Sequence, residues 1–200
     1  MTVATPRLGA VVLAAGASTR LGSRKQLLRI GGVTLVRRAT LAALSARPAR
    51  TIVVVGAHAD STFQAVADLG AERLDCKNWA DGMGASLRAG ARALSEDVDG
   101  LLVVLCDQPE VSAEHIRRLV TEWDVAPDRA VASAYAGTVG VPAILPRSWF
   151  ADLIALAADR GARDLLRRRA GDVTAVAAPE LSRDIDEPGD LDAVDRPSRP

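Results

Sequence analysis

Residues 11–28 read VVLAAGASTRLGSRKQLL, an apolar run that opens into a loop of small and cationic residues. Five aliphatic residues, 11–15, precede Gly16 and Gly22, and Arg20, Arg24 and Lys25 follow before Leu27 and Leu28 restore the apolar pattern. A continuous run of this length suits a strand covered on both faces, as in a parallel sheet. Residues 51–56 and 101–106 repeat the pattern. Between these runs lie amphipathic helical patterns at 33–44, 84–94 and 113–123. In the first of them Leu35, Ala39, Ala42 and Ala43 gather near one face, with Arg37 and Arg38 away from it. This alternation predicts an α/β fold of three layers, α/β/α, with a mostly parallel sheet and right-handed crossovers.

The second half is less regular. Residues 130–136 and 141–145 read as strands flanking a turn at 137–140, residues 152–158 and 162–169 as helices, and 173–177 as a last strand. With no internal repeat and no long linker, the chain is expected to form a single domain over residues 1–195. The RPSRP end, 196–200, is expected to be a disordered tail.

Composition narrows the function. The 25 basic and 25 acidic side chains cancel. This argues against a general binder of nucleic acid or acidic membrane, both of which need surplus Lys and Arg. Hydrophobic residues at 48% exclude intrinsic disorder, while aromatics at 3% leave the core to Ala, Val, Leu and Ile. Cys76 and Cys106 form neither a disulfide framework nor a CxxC pair, and Cys106 reads as a small buried hydrophobe. No apolar segment approaches the roughly 20 residues that span a bilayer, and the N-terminus lacks a leader pattern. A cytoplasmic protein without membrane or nucleic-acid partners is therefore expected. His58 and His115, isolated from each other and from cysteine, are expected in surface or capping roles.

The chemistry concentrates in the opening loop. Gly16 and Gly22 let backbone approach a ligand and aim N–H groups at anionic oxygens. The cations supply opposing charge, Arg as a fork and Lys as a point charge. Ligands of open parallel sheets bind outside the carboxyl ends of the strands, where this loop must lie. Neither the Walker spacing nor G-x-G-x-x-G is present. Asp107 closes the 101–106 run at the same expected edge. As a hard oxygen ligand it suits Mg²⁺, although an Asp there also suits the cap of a helix starting near Ser112. Residues 78–87 run from a loop into a glycine-rich helix start, with Asn78 and Ser86 offering hydrogen bonds. Trp79 and Met83 read as packing residues.

The opening segment resembles the signature A-A-G-x-S-x-R-[ML]-G-x-x-K-x-L of the MobA-like nucleotidyltransferases, whose fold is GT-A-like (Rossmann-like). Within them it is most similar to the molybdenum cofactor cytidylyltransferase branch. Residues 78–87, 105–109, 159–163 and 184–190 carry the resemblance onward in the family's order. It implies nucleotide binding by Leu13, Ala14, Ala15, Gly16, Arg20, Lys25, Asn78 and Ser86. It also implies catalytic roles for Arg20, Lys25 and Asp107, and Mg²⁺ held by Asp107 and Asp186. Asp184, Asp186, Glu187 and Asp190 equally suit a solvated acidic turn.

The implied reaction moves CMP from CTP to a phosphorylated molybdopterin-type cofactor and releases pyrophosphate. Ala15, where guanylyltransferases carry glycine, favours a pyrimidine, and UTP enzymes share that turn. Sugar-1-phosphate nucleotidyltransferases usually carry a Pro-Leu-Thr-like stretch before the lysine, which residues 21–25 lack. Methylerythritol-phosphate cytidylyltransferases share the opening loop but carry a different Asp-containing motif where this chain has residues 105–109. A non-catalytic carrier or insertion chaperone, passing the cofactor to a molybdoenzyme such as a xanthine dehydrogenase, is the reading from another class. Val141 stands where the family often has histidine before proline, which bears on the acceptor. Arg163 suits either an acceptor phosphate or a helix surface.

Overall fold

The computed structural model describes residues 5–18, 24–158 and 160–182. The expected tail at 196–200 and the acidic turn at 184–190 lie outside them. The chain begins with β1 (Leu8–Ala14), a two-strand ribbon of β2 (Arg29–Ile30) and β3 (Val33–Thr34), and α1 (Leu35–Leu44). Next come β4 (Arg50–Val55), α2 (Ala59–Gln64), β5 (Glu72–Asp75), α3 (Met83–Leu94), β6 (Gly100–Leu105) and α4 (Ala113–Val125). The last third holds β7 (Ala130–Tyr135), β8 (Thr138–Pro146), α5 (Phe150–Ile154), α6 (Ala162–Arg168) and β9 (Val173–Ala177).

The seven-stranded sheet runs β5-β4-β1-β6-β8-β7-β9. Only β8 breaks the parallel pattern, pairing antiparallel with β6 and β7. The period of two along a strand explains why the apolar runs are continuous. Ala10, Val12 and Ala14 of β1 join Val53, Val55, Leu102 and Val104 in one core, which α1 and α4 cover through Val36, Ala39, Ile116 and Leu119. Val11 and Leu13 join Ile52, Val54, Leu101 and Val103 in the other, covered by Leu87, Leu94, Phe150, Leu153 and Leu165 of α3, α5 and α6. Helices thus cover both faces, giving the expected three layers.

Several expectations are corrected. The turn falls at Ala136 and Gly137, both at positive φ (49° and 73°), so Thr138 already belongs to β8. Two residues with positive φ give the tight hairpin whose twist matches its strands. The register slips between Ala132 and Ser133, so that Val141 and Pro142 bulge from β8. A bulge is where a strand tolerates proline, which cannot donate to the ladder. Helix α5 ends at Ile154, short of the expected 158, and the carbonyls of Ala157, Ala158 and Arg160 turn towards Gly84 at the start of α3. A Cβ at Gly84 would lie 2.3 Å from Arg160 O, so glycine permits this close approach.

His115 is the plainest correction, being 1% exposed rather than on the surface. It shares the inward face of α4 with Ile116, Leu119 and Trp123. Its ring is accommodated there because Nε2 lies 2.7 Å from Ser133 Oγ on β7. Ser133 spends its one proton on Pro142 O at 2.6 Å, so Nε2 must be the donor and Nδ1 the bare nitrogen. Nδ1 is buried without a partner among the described residues. Burial lowers the His115 pKa, Glu180 opposes the shift and Arg118 adds to it.

Below about pH 6.5 an unfolded histidine takes up a proton that the folded one resists, so the unfolded chain binds more protons and stability falls with pH. The stabilisation is present above that pH and lost as pH drops through the lowered folded value. Melting temperatures of the wild type and His115→Gln, which cannot titrate, should therefore converge between pH 7.5 and 5. A gap that does not change with pH would contradict this.

Candidate active site

β1, β4 and β6 run parallel and end together, Ala14 level with Val55 and Leu13 level with Leu105. Beyond this edge the chain from β1 leads towards β4, while that from β6 leads towards β7 and β8 on the other side. The crevice opened where neighbouring strands part in this way is the general ligand site of open α/β sheets. A cavity of about 440 Å³ occupies it.

Its floor is Leu13, Ala14, Ala15 and Gly16, the segment expected to meet nucleotide. Gln26 Nε2 donates to Gly16 O, and Lys25 N donates to Ser18 Oγ at 3.3 Å. These bonds hold residues 16–18 beside a short 3-10 helix, Lys25–Leu27, although Ser18 has φ 57°. A Cβ on Gly16 would meet nothing within 4 Å, so the position is open towards the cavity rather than packed against protein. Gly16→Val should accordingly fold normally and weaken nucleotide binding by roughly tenfold or more, about 1.4 kcal/mol. Calorimetric titration with CTP alongside a melting curve checks both halves, and unchanged affinity would refute the placement.

Trp79, Met83 and Ser86 form another wall. Trp79 can lie there because Gly56 has no side chain: a Cβ at residue 56 would be 2.6 Å from both Trp79 Cγ and Ala15 O. Ser86 is buried on the first turns of α3 and lines the cavity. Asn78 is exposed and does not line it. Arg20 and Asp186, with Gly22 and Asp159, lie outside the described residues.

The charged centre joins residues 82 apart in sequence. Lys25, 8% exposed, places Nζ 3.0 Å from Asp107 Oδ2. Helix α4 is capped by Ser112, whose Oγ accepts from His115 N at 3.1 Å, so Asp107 is not needed as that cap. Asp107 Oδ1 is buried and has no hydrogen-bond partner among the described residues. A carboxylate oxygen left so beside this cavity fits a hard divalent cation, which typically takes one or two carboxylates and completes its shell with phosphate oxygens and water. Among the described residues no group of three or more His, Cys, Asp or Glu could form an all-protein metal cage. Cys106 lines the same cavity, but burial and the neighbouring Asp107 charge push its thiol pKa far up, so it offers no thiolate.

A second cavity, about 340 Å³, shares Leu13, Met83, Leu105 and Asp107 with the first. Val141 and Arg163, the residues expected on the acceptor side, both line it. Sequence reasoning missed Gln26, Trp79 and Met83. Gln26 sits inside the signature next to Lys25, and Trp79 lies within residues 78–87, so both were in view as letters. Their contacts across the fold were not.

The model of the MobA-like NTP transferase domain matches residues 10–173. The chain is 31% identical to the purine catabolism protein PucB of Bacillus subtilis, over 96% of this chain and 94% of that one. It is 35% identical to the nicotine blue oxidoreductase of Paenarthrobacter nicotinovorans, over 71% and 68% respectively. The crystal structure of Rv0371c from Mycobacterium tuberculosis superposes with a TM-score of 0.84 at 27% identity, covering 96% of this chain and 98% of that one. A second structure of that protein is a complex with manganese. No described helix is long and apolar enough to cross a membrane. The match along most of the chain, on a sheet whose carboxyl edge carries the signature loop, makes the protein a member of the MobA-like NTP transferase family of nucleotidyltransferases.

Proposed function

We propose that the protein transfers CMP from CTP to a phosphorylated molybdopterin-type cofactor, releasing pyrophosphate with the help of Mg²⁺. The observation that carries this reading is the Lys25–Asp107 pair, in which Lys25 lines the cavity floored by the small-residue loop and Asp107 lines both that cavity and the one reaching Arg163. Such an arrangement suits the joining of two anions. An acceptor phosphate oxygen forms a bond to the α-phosphorus of CTP while the bond from that phosphorus to pyrophosphate breaks. The nucleophile is already ionised near neutral pH, so no general base is required.

The barrier then lies in repulsion between anions and in charge gathering on the leaving pyrophosphate, and it is lowered by positioned cations. Lys25 places its ammonium where that charge develops, and Arg20 of the same loop is proposed to assist. The loop amides bind the phosphates, with Ser86 as a further nucleotide contact; Asn78, outside the cavity lining, would reach only a part of the nucleotide that extends beyond the cavity. Ala15 narrows the floor, which favours a pyrimidine. Asp107, with Asp186, would hold the cation, which supplies charge neutralisation at the phosphates. The manganese complex of Rv0371c supports a divalent cation. A purine catabolism protein among the relatives agrees with delivery of the product to a purine-oxidising molybdoenzyme.

The test is pyrophosphate release in the presence of Mg²⁺ and each of CTP, GTP, UTP and ATP, with and without molybdenum-loaded molybdopterin. Release that requires both CTP and the cofactor is expected. Nucleotide binding without acceptor-dependent release would favour the carrier role instead.

A further inference from the structure

Resting on that acceptor reading, we propose that Gln108 selects the acceptor by taking a hydrogen bond from an N–H group of a flat heterocycle seated in the second cavity. The cavity is large enough for a bicyclic ring and meets the first at Asp107, so occupants of the two can react there. Leu87, Val103 and Val141 give it apolar walls, and Arg163 offers a cation to an anionic arm. Gln108, 4% exposed, and Tyr135 are its buried polar groups.

Hydrogen bonding fixes which way the Gln108 amide is turned. Tyr135 has one phenolic proton and donates it to Val141 O at 2.9 Å. Its oxygen can therefore only accept, and Gln108 Nε2 donates to it at 3.2 Å. Reversing the amide would set two acceptors against each other. Oε1 is consequently the atom left over, buried and without a partner among the described residues. A buried carbonyl lacking a donor is costly, and a ligand that supplies one relieves the cost. Val141 sharpens the selection, because an aliphatic side chain at that position donates nothing to the ligand. A site built this way rejects an analogue without the donor far more strongly than an apolar pocket rejects a change of shape. Pterin rings, with lactam and amino N–H groups, belong to the class that fits.

The experiment compares the binding of two flat bicyclic probes, 6-hydroxymethylpterin and quinoxaline, which has no N–H. Both are titrated into the full-length protein, alone and saturated with CTP and Mg²⁺. The wild type should prefer the pterin by roughly tenfold or more, and Gln108→Met should abolish that preference while CTP affinity stays within about twofold. Tyr135→Phe, which frees the amide to turn, should reduce the preference in part, and it carries the test if Gln108→Met does not fold. A merely structural role for Gln108 would shift both probes together and leave their ratio alone. The proposal is overturned if the variants keep the wild-type ratio, or if wild-type protein that binds CTP shows no preference for the pterin. If CTP does not bind while the Gln108-dependent preference persists, nucleotidyl transfer fails as a reading and the donor-selecting pocket stands.

Discussion

Replacing Lys25 with alanine should lower kcat on the order of 10²–10³-fold, the usual loss when one preorganised electrostatic donor is removed. The ammonium sits 3.0 Å from Asp107 Oδ2, a residue that lines both cavities, and in the proposed reaction it faces the charge on the departing pyrophosphate. Lys25→Arg should restore only part of the rate, because a planar fork does not occupy the place of a compact ammonium on a buried stem. Steady-state kinetics with CTP check this, together with a melting curve to show that the fold survives. Activity within about threefold of wild type in Lys25→Ala would remove Lys25 from the mechanism.

Asp107→Asn is expected to have the other large effect. It keeps the shape of the side chain and its place after β6, but it removes the negative charge facing Lys25 and offers a cation only a neutral oxygen. A loss on the order of 10²–10³-fold in kcat should accompany it. Cation binding gives a readout apart from turnover. Mn²⁺ affinity in the presence of CTP, followed by electron paramagnetic resonance, should weaken by about tenfold or more, at least the loss typical of removing a residue that merely supports a metal ligand. Unchanged Mn²⁺ binding would show that Asp107 holds Lys25 and not the metal.

Both predictions rest on residues visible in the sequence, and the reason is physical. β1, β4 and β6 are buried on both faces, so their apolar runs are unbroken and their ends are sharp. Gly16 and Asp107 each follow such an end by two positions, and parallel pairing puts them at one edge. Where burial is one-sided or slight, the signal fades. β5 is the four-residue stretch ERLD, with three of its side chains exposed, and it is a strand because β4 pairs with it. The two-residue partners β2 and β3 are too short to show any period.

Polar residues were harder still. His115 carries no mark of burial in the sequence, because what admits its ring is a hydroxyl on β7, 18 residues away, whose proton is committed to Pro142 O. Gln108 stands beside Asp107 in the motif, but its orientation depends on Tyr135 and on the bulge that brings Val141 O within reach. Trp79 became part of the site through the missing side chain of Gly56, a relation no local pattern expresses.

In the proposed reaction a nucleotidyl group passes Asp107, beside Lys25, from one cavity to the other. Incubation with CTP labelled on the α-phosphate, Mg²⁺ and molybdenum-loaded molybdopterin, followed by separation of products, tests it directly. The label should move into the cofactor in step with unlabelled pyrophosphate, and Lys25→Ala should slow both together. Label recovered only as CTP or free CMP, with none on the cofactor, would contradict it.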